Sequence, residues 1–345
     1  MKNKINIWGS LPEPYGGVSV HVQRLIQALE DFDNVELLNF SKGNQVITQK
    51  NIRKSNNFFI EFIKVLFKKN IIVHLHTNRL IVLLLFSFLK RKKYIITLHN
   101  KRFLDLEDKK KNLFILSLKN ARLVFSNDYA VQDLLINKNV NIVKVPAFLP
   151  PQKQLTSIKL PEEFTLFRCK YKYVFSMSVF GFNYLDKDDY GLKKIVELLK
   201  KIEAPELGIC LCISQPNPFD LECFINDIRV AGLENRVLFL INKISNGSDI
   251  WENSDAFLRL NNTDIEGLSI KEALLLNVPV IASDVCSRPN DAIVYKSEDF
   301  DDLINKFTDL LKHNEKYKEE LKKSTKSDII NALDIIKPIY KEILK

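Results

Sequence analysis

The 345-residue sequence has few of the features that are typical of membrane-spanning, secreted or zinc-binding proteins. Its apolar runs, such as Ile81–Phe86, are far shorter than the ~20 residues that a membrane-spanning helix needs. The N-terminus runs directly into a strand pattern, without the apolar core and cleavage site of a signal peptide. The five cysteines are an odd number without a CxxC pair, which indicates neither a disulfide framework nor a zinc site. We therefore expect a cytoplasmic protein.

Length and composition favour a folded chain of two domains. A chain of 345 residues is too long for one ordinary core and suits two domains of similar size. Hydrophobic residues make up 46% and charged residues 27%, which excludes a disordered or fibrous chain.

The positive charge is concentrated in one segment. The formal net charge is +9, but residues 41–125 alone carry 19 Lys and Arg against 4 Asp and Glu. Two amphipathic stretches, 58–69 and 80–93, lie in this segment, and apolar faces beside lysines suit docking on an anionic membrane surface. A solvated rim around two core helices is an equal alternative. Nucleic acid is a third, although no helix-turn-helix, RNP or zinc-finger signature accompanies the basic residues.

Strand and helix patterns alternate along most of the chain, in two sets. The first runs from the strand at 5–8 to the strand at 123–126, and the second begins near 173–177. A proline-bearing stretch between them, with Pro146, Pro150, Pro151 and Pro161, resembles an interdomain connection. The pattern predicts an α/β protein of two Rossmann-like, doubly wound domains facing each other across a cleft. Ligands of such sheets lie outside the carboxyl ends of the strands.

A glycine pair follows the first predicted strand. Gly16 and Gly17 open a helix, where free N–H groups and the positive end of the helix dipole suit a phosphate or a sugar head group. The pair is not a GxGxxG motif, and a double glycine at such a turn is also common on structural grounds.

A second candidate site lies in the segment 262–274. Asp264 and Glu272 bracket a glycine-containing loop that opens a helix, and the backbone N–H groups of Gly267, Leu268 and Ser269 could bind an anion. Glu272 could accept two hydrogen bonds from a vicinal diol such as a ribose, and Asp264 could accept sugar hydroxyls. The alternative is structural, with Ser269 as the N-cap and Glu272 as its capping-box partner.

These motifs resemble those of the retaining GT-B glycosyltransferases of family 4. The stretch 264–289 is similar to the family's donor-nucleotide motif, in which two acids separated by seven residues precede a Glu-Ala pair and Pro-Val-Ile-Ala. Residues 14–19 resemble its N-terminal glycine loop, 97–99 its active-site histidine segment, and 145–146 the end of its first domain. The matches keep their order over roughly residues 5 to 290.

The resemblance implies a role for each matching residue of the second domain. Glu272 would bind the ribose of a nucleotide sugar, and Asp264, where the family more often has glutamate, would face the donor sugar. The backbone N–H groups of Gly267 and Leu268 would hold the diphosphate or the sugar.

For the first domain, the resemblance implies that Gly16 and Gly17 close on the phosphates and that His99 sits near the donor sugar. Residues 1–155 would form an acceptor-binding domain and 156–325 a nucleotide-sugar-binding domain, with a C-terminal helix in 326–345 packing back toward the first. Transfer would retain the anomeric configuration without a bound metal or other cofactor.

One departure from the family concerns the leaving group. The family usually has an Arg and a Lys after the first strand of the second domain, but this sequence has Tyr190 before Gly191 where the Lys is usual. Lys187 is the nearest cation and the first candidate to neutralise the diphosphate, and Arg288 is the second.

The histidines and the Asp-x-Asp triplets have structural alternatives. His74 and His76 alternate on a strand and could form a metal pair, but without nearby carboxylate or cysteine companions we interpret them as cleft-lining. His99 is as consistent with a hydrogen-bonded core histidine as with a sugar contact. The triplets 31–33, 186–188 and 299–301 are interpreted as surface acids.

The sequence hypothesis is a hexosyltransferase that moves a sugar from a nucleotide-diphosphate donor to a glycan or lipid-linked acceptor. By resemblance, its setting is bacterial surface-polysaccharide assembly, such as lipopolysaccharide or capsule, at the inner face of the cell membrane. The alternatives are a nucleotide-sugar epimerase of the same fold and a non-catalytic membrane-associated partner subunit.

Overall fold

The computed structural model describes residues 3–12, 16–41, 50–89, 93–151, 160–181, 183–244 and 247–345. It divides into two compact units: unit 1, Met1–Gln152 with Ile330–Lys345, and unit 2, Lys153–Ile329. The linker position near 155 that the sequence suggested lies outside the described residues.

Strands and helices alternate through both units. The strands are β1 (Lys4–Gly9), β2 (Val35–Asn39), β3 (Ile52–Lys54), β4 (Ile71–Leu75), β5 (Tyr94–Leu98), β6 (Leu123–Ser126), β7 (Ile142–Lys144), β8 (Tyr173–Phe180), β9 (Leu207–Ser214), β10 (Val237–Ile241), β11 (Ala256–Arg259), β12 (Val280–Ser283) and β13 (Ile293–Tyr295). The helices are α1 (Gly17–Ala28), α2 (Phe58–Phe67), α3 (Leu80–Ser87), α4 (Asp108–Lys119), α5 (Tyr129–Asn137), α6 (Glu162–Lys170), α7 (Leu192–Lys201), α8 (Pro218–Val230), α9 (Gly247–Glu252), α10 (Leu268–Leu275), α11 (Phe300–Lys312), α12 (Asn314–Lys323) and α13 (Leu333–Leu344).

Unit 1 is built on a parallel sheet in the order β3-β2-β1-β4-β5-β6-β7. Successive strand residues point to opposite faces of the sheet, so each strand contributes side chains to two cores, one on each face. Ile5 and Ile7 of β1 pack with α1 and α13 on one face, whereas Trp8 packs with α2, α3 and α4 on the other. Burial on both faces explains why these strands are almost wholly apolar.

Unit 2 repeats the arrangement with the order β10-β9-β8-β11-β12-β13, again parallel. Phe175 and Met177 of β8 lie in the core shared with α7, α8 and α11, and Val174 lies in the core shared with α6, α9 and α10. Two doubly wound α/β units are thus confirmed.

The final helix belongs to the core of unit 1, although it follows unit 2 in the chain. Ile336, Tyr340 and Ile343 of α13 are buried with β1 and α1. The Tyr340 hydroxyl hydrogen-bonds the Nδ1 atom of His74 on β4, and the other ring nitrogen of His74 lies 2.8 Å from Thr97 Oγ1. A buried histidine therefore anchors the end of the chain to the middle of the sheet.

Several elements differ from the sequence expectations. The stretch after β6, expected to be irregular, contains α5 and β7, and α6 and α12 were not anticipated. The helix expected over 328–345 begins at Leu333. Among the described residues, no helix combines the length and apolarity needed to cross a membrane.

Candidate functional site

The candidate site of unit 2 lies where the strand order reverses. β8 and β11 are neighbours in the sheet, and the chain extends outward from them in opposite directions. Such a switch point opens a crevice outside the carboxyl ends of the two strands. Arg259 is the last residue of β11, and the loop that follows it leads through Asp264 to the start of α10.

Two arginines donate hydrogen bonds to the Asp264 carboxylate. Arg259 donates to both carboxylate oxygens, at 3.0 and 3.1 Å, and Arg288 donates to Oδ2 at 2.8 Å. The Arg288 side chain is 1% exposed and also donates to the backbone carbonyl of Ser283 at 2.8 Å. We call this set the Arg–Asp–Arg cluster. It carries one more positive than negative charge.

Asp264 is ionised at neutral pH. Burial raises the pKa of its carboxyl, but the hydrogen bonds and charges of Arg259 and Arg288 lower it by more, so the net shift is downward. Asp264 is therefore a fixed hydrogen-bond acceptor rather than a group ready to take up a proton.

The start of α10 lies directly beside this cluster. Gly267 is the N-cap, with φ of +65°, a left-handed conformation that favours glycine. A Cβ on Gly267 would lie 2.7 Å from Arg288 Nη1 and 3.2 Å from Asp264 Oδ2. A helix N-terminus and two guanidinium groups thus converge on one place, which suits an anion.

The capping-box alternative for Ser269 and Glu272 is wrong. Because Gly267 is the N-cap, Ser269 lies inside the first turn, and its Oγ is buried without a hydrogen-bond partner among the described residues. Glu272 lies on the same helix and is 8% exposed. Neither side chain therefore forms a capping box at the start of α10.

Lys187 is not joined to the Arg–Asp–Arg cluster. It is exposed in the turn between β8 and α7, with no hydrogen bond or ion pair in the described part of the chain. Tyr190, where the resemblance leads one to expect lysine, instead lies with its ring centroid 5.9 Å from the Arg259 guanidinium, and its hydroxyl donates to the Phe180 carbonyl. The guanidinium over the Tyr190 ring thus belongs to β11.

Arg259 is a residue that the sequence reasoning missed. The available signal was an arginine near the carboxyl end of the otherwise apolar predicted strand 256–260, since a strand's carboxyl end is where ligand-facing side chains lie. Nothing in the spacing indicated that Arg259 would pair with Asp264.

One Asp-x-Asp residue is not a surface acid. Asp188 is buried, and its carboxylate accepts hydrogen bonds from the backbone N–H groups of Leu192 and Lys193 at 2.7 and 2.9 Å. It therefore satisfies free donors at the start of α7, because the first N–H groups of a helix lack partners within it. Asp31, Asp33, Asp186, Asp299 and Asp301 are exposed, as expected.

In unit 1, the glycine pair lies at the N-terminus of α1. Gly16 is the N-cap, in an extended conformation that any residue adopts, and Ser19 Oγ bridges its N–H and carbonyl groups. A Cβ on Gly17 would meet no described atom within 4 Å. Neither glycine is demanded by backbone strain, and among the described atoms neither position is tightly packed.

His99 follows β5 and faces other histidines. Its Nε2 lies 3.0 Å from Nδ1 of His76, and its ring centroid lies 4.9 Å from that of His21. His74 does not form a metal pair with His76, because both nitrogens of His74 are already hydrogen-bonded within the core.

Comparison with solved structures finds the same architecture over essentially the whole chain. A glycosyltransferase from Rickettsia africae ESF-5 matches with a TM-score of 0.71 at 17% identity, covering 100% of this chain and 99% of its own. Anabaena Alr3699/HepE in complex with UDP-glucose matches with a TM-score of 0.68 at 16% identity, covering 99% of both chains. The lipopolysaccharide outer core galactosyltransferase WaaB matches at 0.57 and 15% identity, covering 98% of this chain and 99% of its own.

These neighbours are GT-B glycosyltransferases. The chain has the GT-B fold. Within that fold, the Arg–Asp–Arg cluster and the start of α10 lie in the second of the two parallel-sheet units. Comparisons with protein-family models and with curated proteins find no match.

Proposed function

We propose that this chain is a retaining glycosyltransferase that moves a hexose-type sugar from a nucleotide-diphosphate donor to an acceptor hydroxyl. The observation that carries the proposal is the convergence of two arginines with the N-terminus of α10 beside the left-handed Gly267. The Anabaena structures, which hold UDP, UDP with glucose, or UDP-glucose, support a nucleotide-sugar donor.

The diphosphate would bind at the start of α10. Its negative charge would be met by the N–H groups of Gly267, Leu268 and Ser269 and by Arg288 and Arg259, whose two charges exceed that of Asp264. Arg288 is better placed for this than Lys187, since Arg288 is fixed at the helix start whereas Lys187 is exposed.

The donor's ribose and sugar would be held by the two acids. Glu272 would accept hydrogen bonds from the ribose hydroxyls. Asp264, kept ionised by its arginines, would accept hydroxyls of the donor sugar. Gly16, Gly17 and His99 of unit 1 would contact the phosphates and the sugar, as the resemblance implies.

The reaction would proceed on one face of the sugar. The bond between the anomeric carbon and the β-phosphate oxygen breaks, and its electron pair leaves with the diphosphate. The acceptor oxygen bonds to the same face, and its proton passes to the departing phosphate oxygen. The protein supplies positioning and positive charge rather than a nucleophile, and we expect no metal at the diphosphate.

Unit 1 would bind the acceptor at an anionic membrane surface. Phe67 of α2 and Phe88, which follows α3, are 81% and 82% exposed, and Lys68 and Lys69, which follow Phe67 in the chain, are also exposed. Exposed aromatic rings flanked by lysines suit a headgroup layer. The acceptor would then be a lipid-linked glycan of surface-polysaccharide assembly, a setting that the likeness to the galactosyltransferase WaaB supports.

Vesicle binding tests this placement. We expect anionic vesicles to sediment the wild-type protein and neutral vesicles to leave it in solution. A Lys68→Gln, Lys69→Gln double variant should bind anionic vesicles more weakly, by about 1 kcal/mol per lysine. Lys322→Gln, Lys323→Gln on α12 is the control. Lys93 is left unchanged because it donates to the carbonyls of Val65 and Lys68, and residues 90–92 lie outside the described residues. Equal binding by both variants would refute the membrane placement.

A thermal-shift panel of nucleotide sugars tests the donor site. A ligand present at 100 times its Kd should stabilise the wild type by about 2.7 kcal/mol. Glu272→Ala should lose the shift, whereas Glu197→Ala, exposed on α7, should keep it. Product analysis by NMR then gives the anomeric configuration.

The same preparation separates the alternatives. Release of nucleotide or an altered sugar without any acceptor would indicate an epimerase. A folded protein that no nucleotide sugar stabilises at millimolar concentration would contradict the proposal and favour the non-catalytic partner.

A further inference from the structure

Three histidines from three different elements meet in the core of unit 1. His21 lies on α1, His76 follows β4 and His99 follows β5, and one ligating atom of each lies within 4.8 Å of those of the other two. This is the only such group of three or more metal-ligating side chains within the described ranges. We call it the histidine cluster.

The alternation of side chains along β4 and β5 explains why the histidines lie together. β4 and β5 are parallel neighbours, with His74 opposite Ile95, so alternate residues of both strands share the face covered by α1. On that face His74 pairs with Thr97, and one step further along the strands His76 pairs with His99. Helix α1 packs over this row and adds His21, whose ring centroid is 5.5 Å from that of His76.

The cluster contains buried nitrogens without partners. His21 Nδ1 lies 3.3 Å from the Ala147 carbonyl oxygen, which can only accept, so Nδ1 donates and Nε2 keeps its lone pair. That Nε2 atom and Nε2 of His76 are buried and lack hydrogen-bond partners in the described part of the chain. Buried polar atoms without partners are rare, and each calls for an explanation.

The structure assigns this cluster as a binding site for one divalent transition-metal ion, with Zn²⁺ as the first candidate. Three histidines with an open fourth position form a common zinc ligand set. The hydrogen bond between His21 Nδ1 and the Ala147 carbonyl leaves Nε2 as the ring nitrogen that can bind the metal. In known zinc sites, hydrogen-bond partners outside the ligand set orient the ligating histidines in the same way.

The distances are close to those of a zinc site. With Zn–N bonds of about 2.0–2.1 Å, ligand nitrogens of a tetrahedral site lie about 3.3 Å apart. Nδ1 of His76 and Nε2 of His99 are already 3.0 Å apart, so His76 would ligate through Nδ1 and keep its ring proton on the unpartnered Nε2. The ligand atoms of all three residues lie within 4.8 Å of one another, and a separation of that size requires a closure of about 1.5 Å.

The site goes beyond the proposed sugar transfer. Its residues belong to unit 1, whereas the Arg–Asp–Arg cluster belongs to unit 2. Because His99 is shared with the proposed sugar site, the test substitutes His21 and His76, which the proposed sugar transfer does not use. The histidine cluster lies at the carboxyl ends of strands beside the switch point between β1 and β4, where ligands of doubly wound sheets bind. The fourth position would accept water or a ligand oxygen.

Metal titration of the untagged full chain, stripped with a chelator, tests the assignment. We expect one equivalent of Zn²⁺ per chain by elemental analysis, and Co²⁺ should give the visible absorption of a tetrahedral nitrogen site. His21→Gln and His76→Gln should each weaken Zn²⁺ binding about 100-fold or more. His313→Gln, at an exposed histidine of unit 2, should bind zinc as the wild type does.

Circular dichroism shows whether each variant folds. Where a variant does not, the zinc stoichiometry and the Co²⁺ spectrum of the wild type decide the question. A wild type that retains less than stoichiometric zinc at micromolar concentration, or folded His21→Gln and His76→Gln variants that bind zinc unchanged, would overturn the assignment.

Discussion

The substitution Gly267→Ala isolates the contact between the start of α10 and the Arg–Asp–Arg cluster. Gly267 has φ of +65°, and an alanine there costs about 1–2 kcal/mol in backbone strain. Its Cβ would also lie 2.7 Å from Arg288 Nη1 and 2.8 Å from Ile270 Cδ1. Arg288 cannot swing away cheaply, because its guanidinium is bound to Ser283 and Asp264 and is 1% exposed. Overpacking of this kind adds about 1–3 kcal/mol.

Gly232 offers a matched control. It has φ of +68° just after α8, and a Cβ there would meet no described atom within 4 Å. Gly232→Ala therefore carries the backbone strain alone. In a unit of this size, each kcal/mol lowers the Tm by about 2–4 °C, so Gly267→Ala should melt clearly below Gly232→Ala.

Binding separates the two variants more sharply than stability does. In thermal-shift titrations, Gly267→Ala should weaken nucleotide-sugar binding at least tenfold, about 1.4 kcal/mol, and Gly232→Ala should leave it unchanged. Equal Tm values and equal nucleotide affinities for the two variants would refute the close packing of Gly267 on Arg288.

Two further predictions concern buried polar contacts. Asp264→Asn leaves Arg259 and Arg288 without their carboxylate and should destabilise unit 2 by about 3–5 kcal/mol at pH 7. Because the pKa of Asp264 is lowered from 3.8, its stabilisation is complete above that pH and declines as the pH falls through the lowered value. The Tm of the wild type should therefore fall at acid pH through this group, and the Tm of Asp264→Asn should not show that part of the decline. Tm–pH profiles of identical shape for the two proteins would contradict the pairing. Tyr340→Phe removes the hydroxyl partner of the buried His74 and should cost about 1–3 kcal/mol in urea unfolding, whereas Tyr317→Phe, near the surface, should cost little; equal costs would argue against the anchoring of α13.

The fold could be predicted because both sheets are buried on two faces. Strands such as 71–75, apart from His74, and 207–213 are apolar runs between helical patterns, which is the signature of a parallel sheet. The missed elements lack that signal. Helix α12 is almost entirely polar, and β3 and β7 are edge strands of three residues each.

Only part of the candidate site could be predicted from the sequence. The spacing of Asp264, Gly267 and Glu272 indicated a helix start with acids around it. The partners of Asp264 were not readable, because Arg288 lies 24 positions away and reaches Asp264 only when β11 and β12 pair. The N-cap also had to be seen, since Ser269 and Gly267 compete for that position.

By itself, the sequence determined the alternation of strands and helices, the two-unit α/β architecture and a helix start within 267–270, because periodicity and glycine placement act over a few residues. Only the tertiary structure decided which charges meet. It paired Arg259 and Arg288 with Asp264, left Lys187 exposed, bound His74 to Tyr340 and gathered His21, His76 and His99. Contacts of this kind depend on strand order and register, which bring distant residues within a few ångströms and leave no trace in local spacing.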